Sequence, residues 1–192
     1  AAVFTPARKG SLALDLIGAS RRQGLLAYRL RPDLDALLQE VRAGHPVVIL
    51  QNLAFNWYPI WHYAVVIGYD FAEKEIILNS GRRAGLRMPL RTFEHTWARG
   101  GYWALLVLKP GNLPQTAEAL PLLQAGAGLE QAKQWAAATS VYQSVIQRWP
   151  ETETAYLGLG NSHYALKQLP QAAAALRQGL EKQPGNAALH NN

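Results

Sequence analysis

Two hydrophobic periods run along this chain, and the switches between them mark out its elements. Leu34, Leu37, Leu38 and Val41 recur at helical spacing, with Asp33 ahead of them as a cap and Gly44 behind as a stop. An earlier helix is marked by Leu12, Leu16, Ile17 and Ala19; Ser11 opens it, it runs to about Gln23, and Gly24 closes it. The apolar run Leu25–Leu30 between them predicts a short strand. After Gly44 the runs shorten. Val47–Leu50, His62–Tyr69 and Glu75–Asn79 predict strands, the last two joined by a hairpin turn over Asp70–Lys74. Leu90–Trp97 predicts a short helix and Tyr102–Leu108 a final strand. Helices followed by consecutive strands predict an α+β domain on an antiparallel sheet over residues 1–112.

Past Pro110-Gly111-Asn112-Leu113-Pro114 the pattern changes again, so residues 113–118 read as a linker. From residue 119 onward the chain repeats itself every 34 residues. Leu122, Ala125, Gly126, Leu129, Ala138, Tyr142, Val145 and Pro150 recur as Tyr156, Leu159, Gly160, His163, Ala172, Leu176, Gly179 and Pro184. Small residues fall where two helices must approach closely, and a proline ends each second helix. This spacing resembles the tetratricopeptide repeat, which implies stacked helical hairpins and a surface for a protein partner. Two repeats and the start of a third, at Pro184–His190, fill residues 119–192.

Composition narrows the function classes. Nearly half of the 192 residues are hydrophobic, enough for a packed core. No apolar run approaches the roughly 18 residues of a membrane helix, so no span is expected. The formal charge of +6 lies wholly in residues 1–112, which carry 14 Lys/Arg against 8 Asp/Glu; the remainder carries 5 of each. Only Arg82, Arg83 and Arg87 cluster, which reads as a solvated arginine-rich hairpin rather than a nucleic-acid surface. The chain has no cysteine, which excludes disulfides and thiolate metal sites. No two of its five histidines are spaced as metal ligands beside acidic partners, so neither a metal nor another cofactor is expected.

The candidate chemistry centres on His62, which opens the strand Trp61-His62-Tyr63-Ala64-Val65-Val66-Ile67-Gly68-Tyr69. Asn79 ends the next strand, in Ile76-Ile77-Leu78-Asn79-Ser80-Gly81. A histidine with an amide or carboxylate on the neighbouring strand is the base-and-orienter half of a cysteine peptidase site. His45 reads as an exposed turn residue, His95 as a helix residue facing outward or toward Trp97, and His163 as packing within a repeat. Ser80 beside His62 lacks the Gly-x-Ser-x-Gly setting of a nucleophile elbow, so it is not taken as a nucleophile. The aromatic loop of Trp57, Tyr58 and Trp61 precedes His62 and is a candidate substrate contact.

Gly44-His45-Pro46-Val47-Val48-Ile49, the two strand motifs above, and Phe93 with Trp97 stand in an order similar to that of the bacteriocin-processing, double-glycine leader peptidases, which are papain-like cysteine peptidases. With the repeats behind it, the chain resembles a bacterial subgroup in which such a domain precedes tetratricopeptide repeats. The resemblance implies that His62 is the general base and Asn79 the residue orienting its ring, where the family prefers Asp-Pro. It also implies an upstream nucleophilic Cys and oxyanion Gln, neither matched here, so an N-terminal segment carrying both is expected to be missing.

The expected protein is a papain-like domain followed by an all-α tetratricopeptide module. It would hydrolyse peptide bonds through a Cys–His–Asn/Asp triad when complete, and be inactive as this cysteine-less chain. The alternatives are a non-catalytic pseudo-peptidase that scaffolds peptides or proteins, and a first domain that only braces the repeats. A peptide or protein substrate and a protein partner on the repeats are expected, without nucleic acid. The resemblance further implies a bacterial, exported protein, periplasmic and lipid-anchored in its full-length form. The peptidase reading requires His62 and Asn79 to lie side by side on one face of the sheet; on opposite faces they would leave a helical scaffold with a globular cap.

Overall fold

The structure is a computed structural model and describes residues 13–182. The expected Ser11 cap, Leu12 and the third repeat from Pro184 lie outside the described residues. Among the described residues there are seven helices and one six-stranded sheet. The chain forms two compact units. Tyr28–Val107 and Pro114–Thr116 make one; the described residues up to Ala27, Leu108–Leu113 and those from Ala117 onward make the other.

The sheet is built from β1 (Leu26–Arg29), β2 (Val47–Asn52), β3 (Trp61–Asp70), β4 (Glu75–Ser80), β5 (Arg83–Pro89) and β6 (Ala104–Leu108), in the order β1-β6-β2-β3-β4-β5. From β6 to β5 every neighbour is antiparallel. Val47, Ile49, Ala64, Val66, Ile76 and Leu78 share one face by their pairing and are all buried. That face carries helix α3 (Leu90–Arg99), whose Phe93 and Trp97 are fully buried with ring centroids 5.6 Å apart. Trp97 satisfies its indole N–H on the Trp103 carbonyl at 3.0 Å, as a buried tryptophan must.

Helix α2 (Leu34–Arg42) packs on β2 and β3. The Asp33 carboxylate caps it by accepting from the Asp35 amide at 3.1 Å, and Gly44 leaves it with a φ of 82°, a conformation costly to a residue bearing a Cβ. Its Glu40 is fully buried. That carboxylate faces the His45 ring at 2.8 Å and accepts from the Thr116 amide and hydroxyl (2.7 and 2.6 Å) and the Gln115 amide (3.1 Å). Burial pushes the Glu40 pKa up, but these four partners outweigh it and hold the acid below its ordinary value. His45, expected at the surface, is thereby drawn into a largely enclosed contact.

Two irregularities bend the sheet around β4. On β3, Val66 pairs with Leu78 and Gly68 with Ile77, so Ile67 is an extra residue. Between β4 and β5, Leu78 pairs with Leu86 and Ser80 with Arg83, so Asn79 faces two residues. Gly85 takes a φ of 65° there, and its amide donates to Asn79 Oδ1 at 3.1 Å. Strand β5 was not foreseen in the sequence. Only Leu86 and Met88 alternate within it, and Arg83 and Arg87 place charge along it, as suits an edge strand. Arg87 bridges Asp70 and Glu75 on its exposed side.

In the other unit, α4 (Ala119–Gln131), α5 (Trp135–Arg148), α6 (Glu153–Ala165) and α7 (Leu169–Lys182) pack in succession. Lys133 and Lys167, 34 residues apart, both take positive φ at the turn inside each hairpin. A Cβ on Gly126 would press the Tyr142 ring, and one on Gly160 would press Leu176, so each hairpin uses the same glycine-on-large-residue contact. Helix α1 (Ala13–Arg22), read from sequence as part of residues 1–112, packs on α4 with its Arg21 guanidinium over Gly128. Gln134 anchors it by donating to the Arg22 carbonyl at 3.2 Å.

Candidate functional site

His62 stands at the start of β3, paired with Gln51 of β2. Directly paired residues share a face, so His62 belongs with Gln51, Ala64 and Val66 on the face that α3 covers. Gln51 is buried and turned toward that helix, donating to Thr96 Oγ1 at 2.6 Å. Ser80 pairs with Ala64 and so lies on the His62 face as well. Its hydroxyl oxygen sits 2.7 Å from His62 Nε2.

Asn79 does not join them. It pairs with Val65, which places it on the opposite face, exposed and engaged with the Gly85 amide. This corrects the expected His62–Asn79 pairing, and Ile67 is the physical reason. Were β3 free of that extra residue, Glu75↔Asp70 and Ile76↔Tyr69 would propagate to place Asn79 opposite Val66 and on the His62 face. One inserted residue moves every later β4 side chain across the sheet and delivers Ser80 instead. Sequence spacing had pointed to the strand beside His62, but the side chain of that strand nearest the ring is Ser80 and not Asn79. A glycine next to the extra residue, Gly68, was the available signal.

The expected aromatic contacts form one surface. Trp57, Tyr58 and Trp61 are 82%, 65% and 57% exposed, and Phe55 and Ile60 are exposed with them. Phe55 stacks on Trp57 with centroids 5.7 Å apart. Beneath lies buried Asn52, whose Oδ1 accepts from the Ala54 and Ile60 amides (3.1 and 3.0 Å) and whose Nδ2 donates to the Phe55 carbonyl at 3.3 Å. Arg99 Nε donates to the Asn52 carbonyl at 3.2 Å. The loop thus holds its aromatics in water on a hydrogen-bonded base, at the end of the sheet where β3 begins and β4 stops. Asn52 and Ser80 are the residues that the sequence reading did not assign to the site.

The remaining histidines stay apart. His95 is exposed on α3, and His163 faces Gln168 Oε1 at 2.7 Å within its own repeat. Among the described residues no group of three His, Asp or Glu could hold a metal ion. No described helix is long and apolar enough to cross a membrane.

Residues 129–191 match the tetratricopeptide repeat family. No curated protein matches the chain. Among solved structures, a chain described as a C39-like peptidase from Bacillus anthracis is similar, with a TM-score of 0.43 and 23% identity. The match covers 52% of this chain and 60% of that one, so the chain spans less than two thirds of that neighbour's length.

Proposed function

We propose that the chain is the histidine-bearing part of a cysteine-peptidase-like protein that carries a tetratricopeptide protein-interaction module. The complete protein would hydrolyse peptide bonds, its thiol and oxyanion donor supplied from outside this chain. With Asn79 on the opposite face, the form of this reading that pairs His62 with Asn79 fails its own condition; what supports a peptidase is the His62 ring, met at Nε2 by Ser80 of the next strand instead. Its Nδ1 makes no hydrogen bond among the described residues and is available to take a thiol proton. The exposed loop of Trp57, Tyr58 and Trp61 would then contact an extended substrate. The repeats would hold a protein partner or the substrate's flank. Export to a bacterial periplasm, with a lipid anchor, belongs to the same proposal and rests on the sequence resemblance.

The product of the complete gene decides the matter. Peptide hydrolysis that is lost both on thiol alkylation and in His62→Ala supports the proposal, and hydrolysis that survives either one rejects it.

A second reading is favoured by the turning-away of Asn79 and by the absence of cysteine from this chain. In it the protein is a non-catalytic scaffold that binds extended peptides over the aromatic loop. A complete product that binds peptides without cleaving them selects this reading.

A further inference from the structure

We infer that Ser80 is the residue that positions the His62 imidazole, with its neutral hydroxyl standing where a carboxylate or carboxamide would stand in a triad. The inference rests on the peptidase reading above for its purpose, and on geometry for its substance. Ser80 Oγ and His62 Nε2 lie 2.7 Å apart, both partly buried, on one face of adjacent strands. Asn79 is committed to the Gly85 amide on the other face. Gln51, which pairs with His62 across β2 and β3, is committed to Thr96.

A hydroxyl can donate or accept, so its direction fixes the tautomer of the ring. If Ser80 accepts from Nε2–H, the lone pair is on Nδ1, which has no other partner among the described residues. A proton passing from a nucleophile's S–H to Nδ1 then leaves a thiolate and an imidazolium whose Nε2–H stays on the same oxygen. No hydrogen bond has to reverse during the step. If Ser80 instead donated to Nε2, protonating the ring would break that bond. The accepting arrangement is therefore the one that serves a base, and Ser80 is a positioning residue rather than a nucleophile. A neutral oxygen orients the ring without adding the negative charge that would further stabilise an imidazolium.

The test uses this chain and needs no activity. Two-bond ¹H–¹⁵N correlation spectra at alkaline pH report the histidine tautomers, with His62→Gln assigning the His62 signals. The expected result is a predominant Nε2–H tautomer for His62. Ser80→Ala should lower the Nε2–H excess to the modest preference that a free histidine ring already has, Ser80→Thr should restore the parent pattern, and Asn79→Ala should leave it unchanged. A parent spectrum dominated by the Nδ1–H tautomer overturns the inference and makes Ser80 a hydroxyl activated by His62. A tautomer that responds to Asn79→Ala and not to Ser80→Ala overturns it equally. Because these readouts are independent of hydrolysis, the inference can fail while the peptidase reading stands, and the reverse.

Discussion

Single side chains carry three separate tasks in this protein, and each can be tested alone. Glu40 holds the stretch at Gln115 and Thr116 through hydrogen bonds to a buried carboxylate. Glu40→Gln keeps the shape but sets an amide N–H₂ against donors, a change expected to lower stability at neutral pH by about 3 kcal/mol in chemical denaturation. The folded pKa of Glu40 is lowered, so its contribution is complete above the unfolded value of about 4.3 and is lost as pH falls through the folded value. Parent and Glu40→Gln stabilities should therefore converge on acidification. Glu130 carries the opposite sign: burial raises its pKa, against hydrogen bonds from Ser162 and Tyr142. Its ionisation weakens the fold as pH rises through the folded value, so Glu130→Gln should flatten the pH dependence in that window. Asn52→Ala removes the three hydrogen bonds beneath the aromatic loop and is expected to cost about 1–3 kcal/mol and to lower the steady-state anisotropy of Trp57. Neither buried network showed in the sequence: Glu40 gains Gln115 and Thr116 only when distant backbone closes over it, and Asn52 bonds Ala54, Phe55 and Ile60 within a loop that has no periodic pattern to mark it.

The elements divide by how local their causes are. Helix α2 was legible because its cap, apolar stripe and terminal glycine lie within a dozen residues. The repeats were legible because the same contact recurs, Gly126 on Tyr142 and Gly160 on Leu176. Gly158 meets Tyr142 from the other side, so Gly158→Ala should press its new methyl into that ring. We expect a loss of about 1–3 kcal/mol, read as a lower melting temperature of the repeats. Strand β5 was missed because an edge strand needs only one apolar face and tolerates charge on the other. The extra residue in β3 was missed because its one local signal, Gly68, does not say which strand residue goes unpaired; that is defined by what lies across from it.

Taken whole, the chain forms two compact units. Hydrogen exchange should therefore show two blocks of protection, with Gly158→Ala raising exchange in α4–α7 while leaving β2–β4 near the parent level. Equal acceleration in both blocks would contradict the division. The aromatic loop belongs to the unit built around the sheet. Trp57→Ala with Trp61→Ala should weaken capture of an extended peptide by tenfold or more, about 1.4 kcal/mol, in a titration followed by calorimetry. The same pair should leave the repeat melting temperature unchanged.

Periodicity and punctuation were enough to read most elements, the 34-residue repeat and the strand that begins with His62, because these depend on neighbours a few positions away. They could not say which side chain of β4 meets the imidazole. Sheet pairing has a side-chain period of two, so one unpaired residue at Ile67 reverses the answer from Asn79 to Ser80. That choice is made by hydrogen bonds between strands, and appears only once the sheet is assembled.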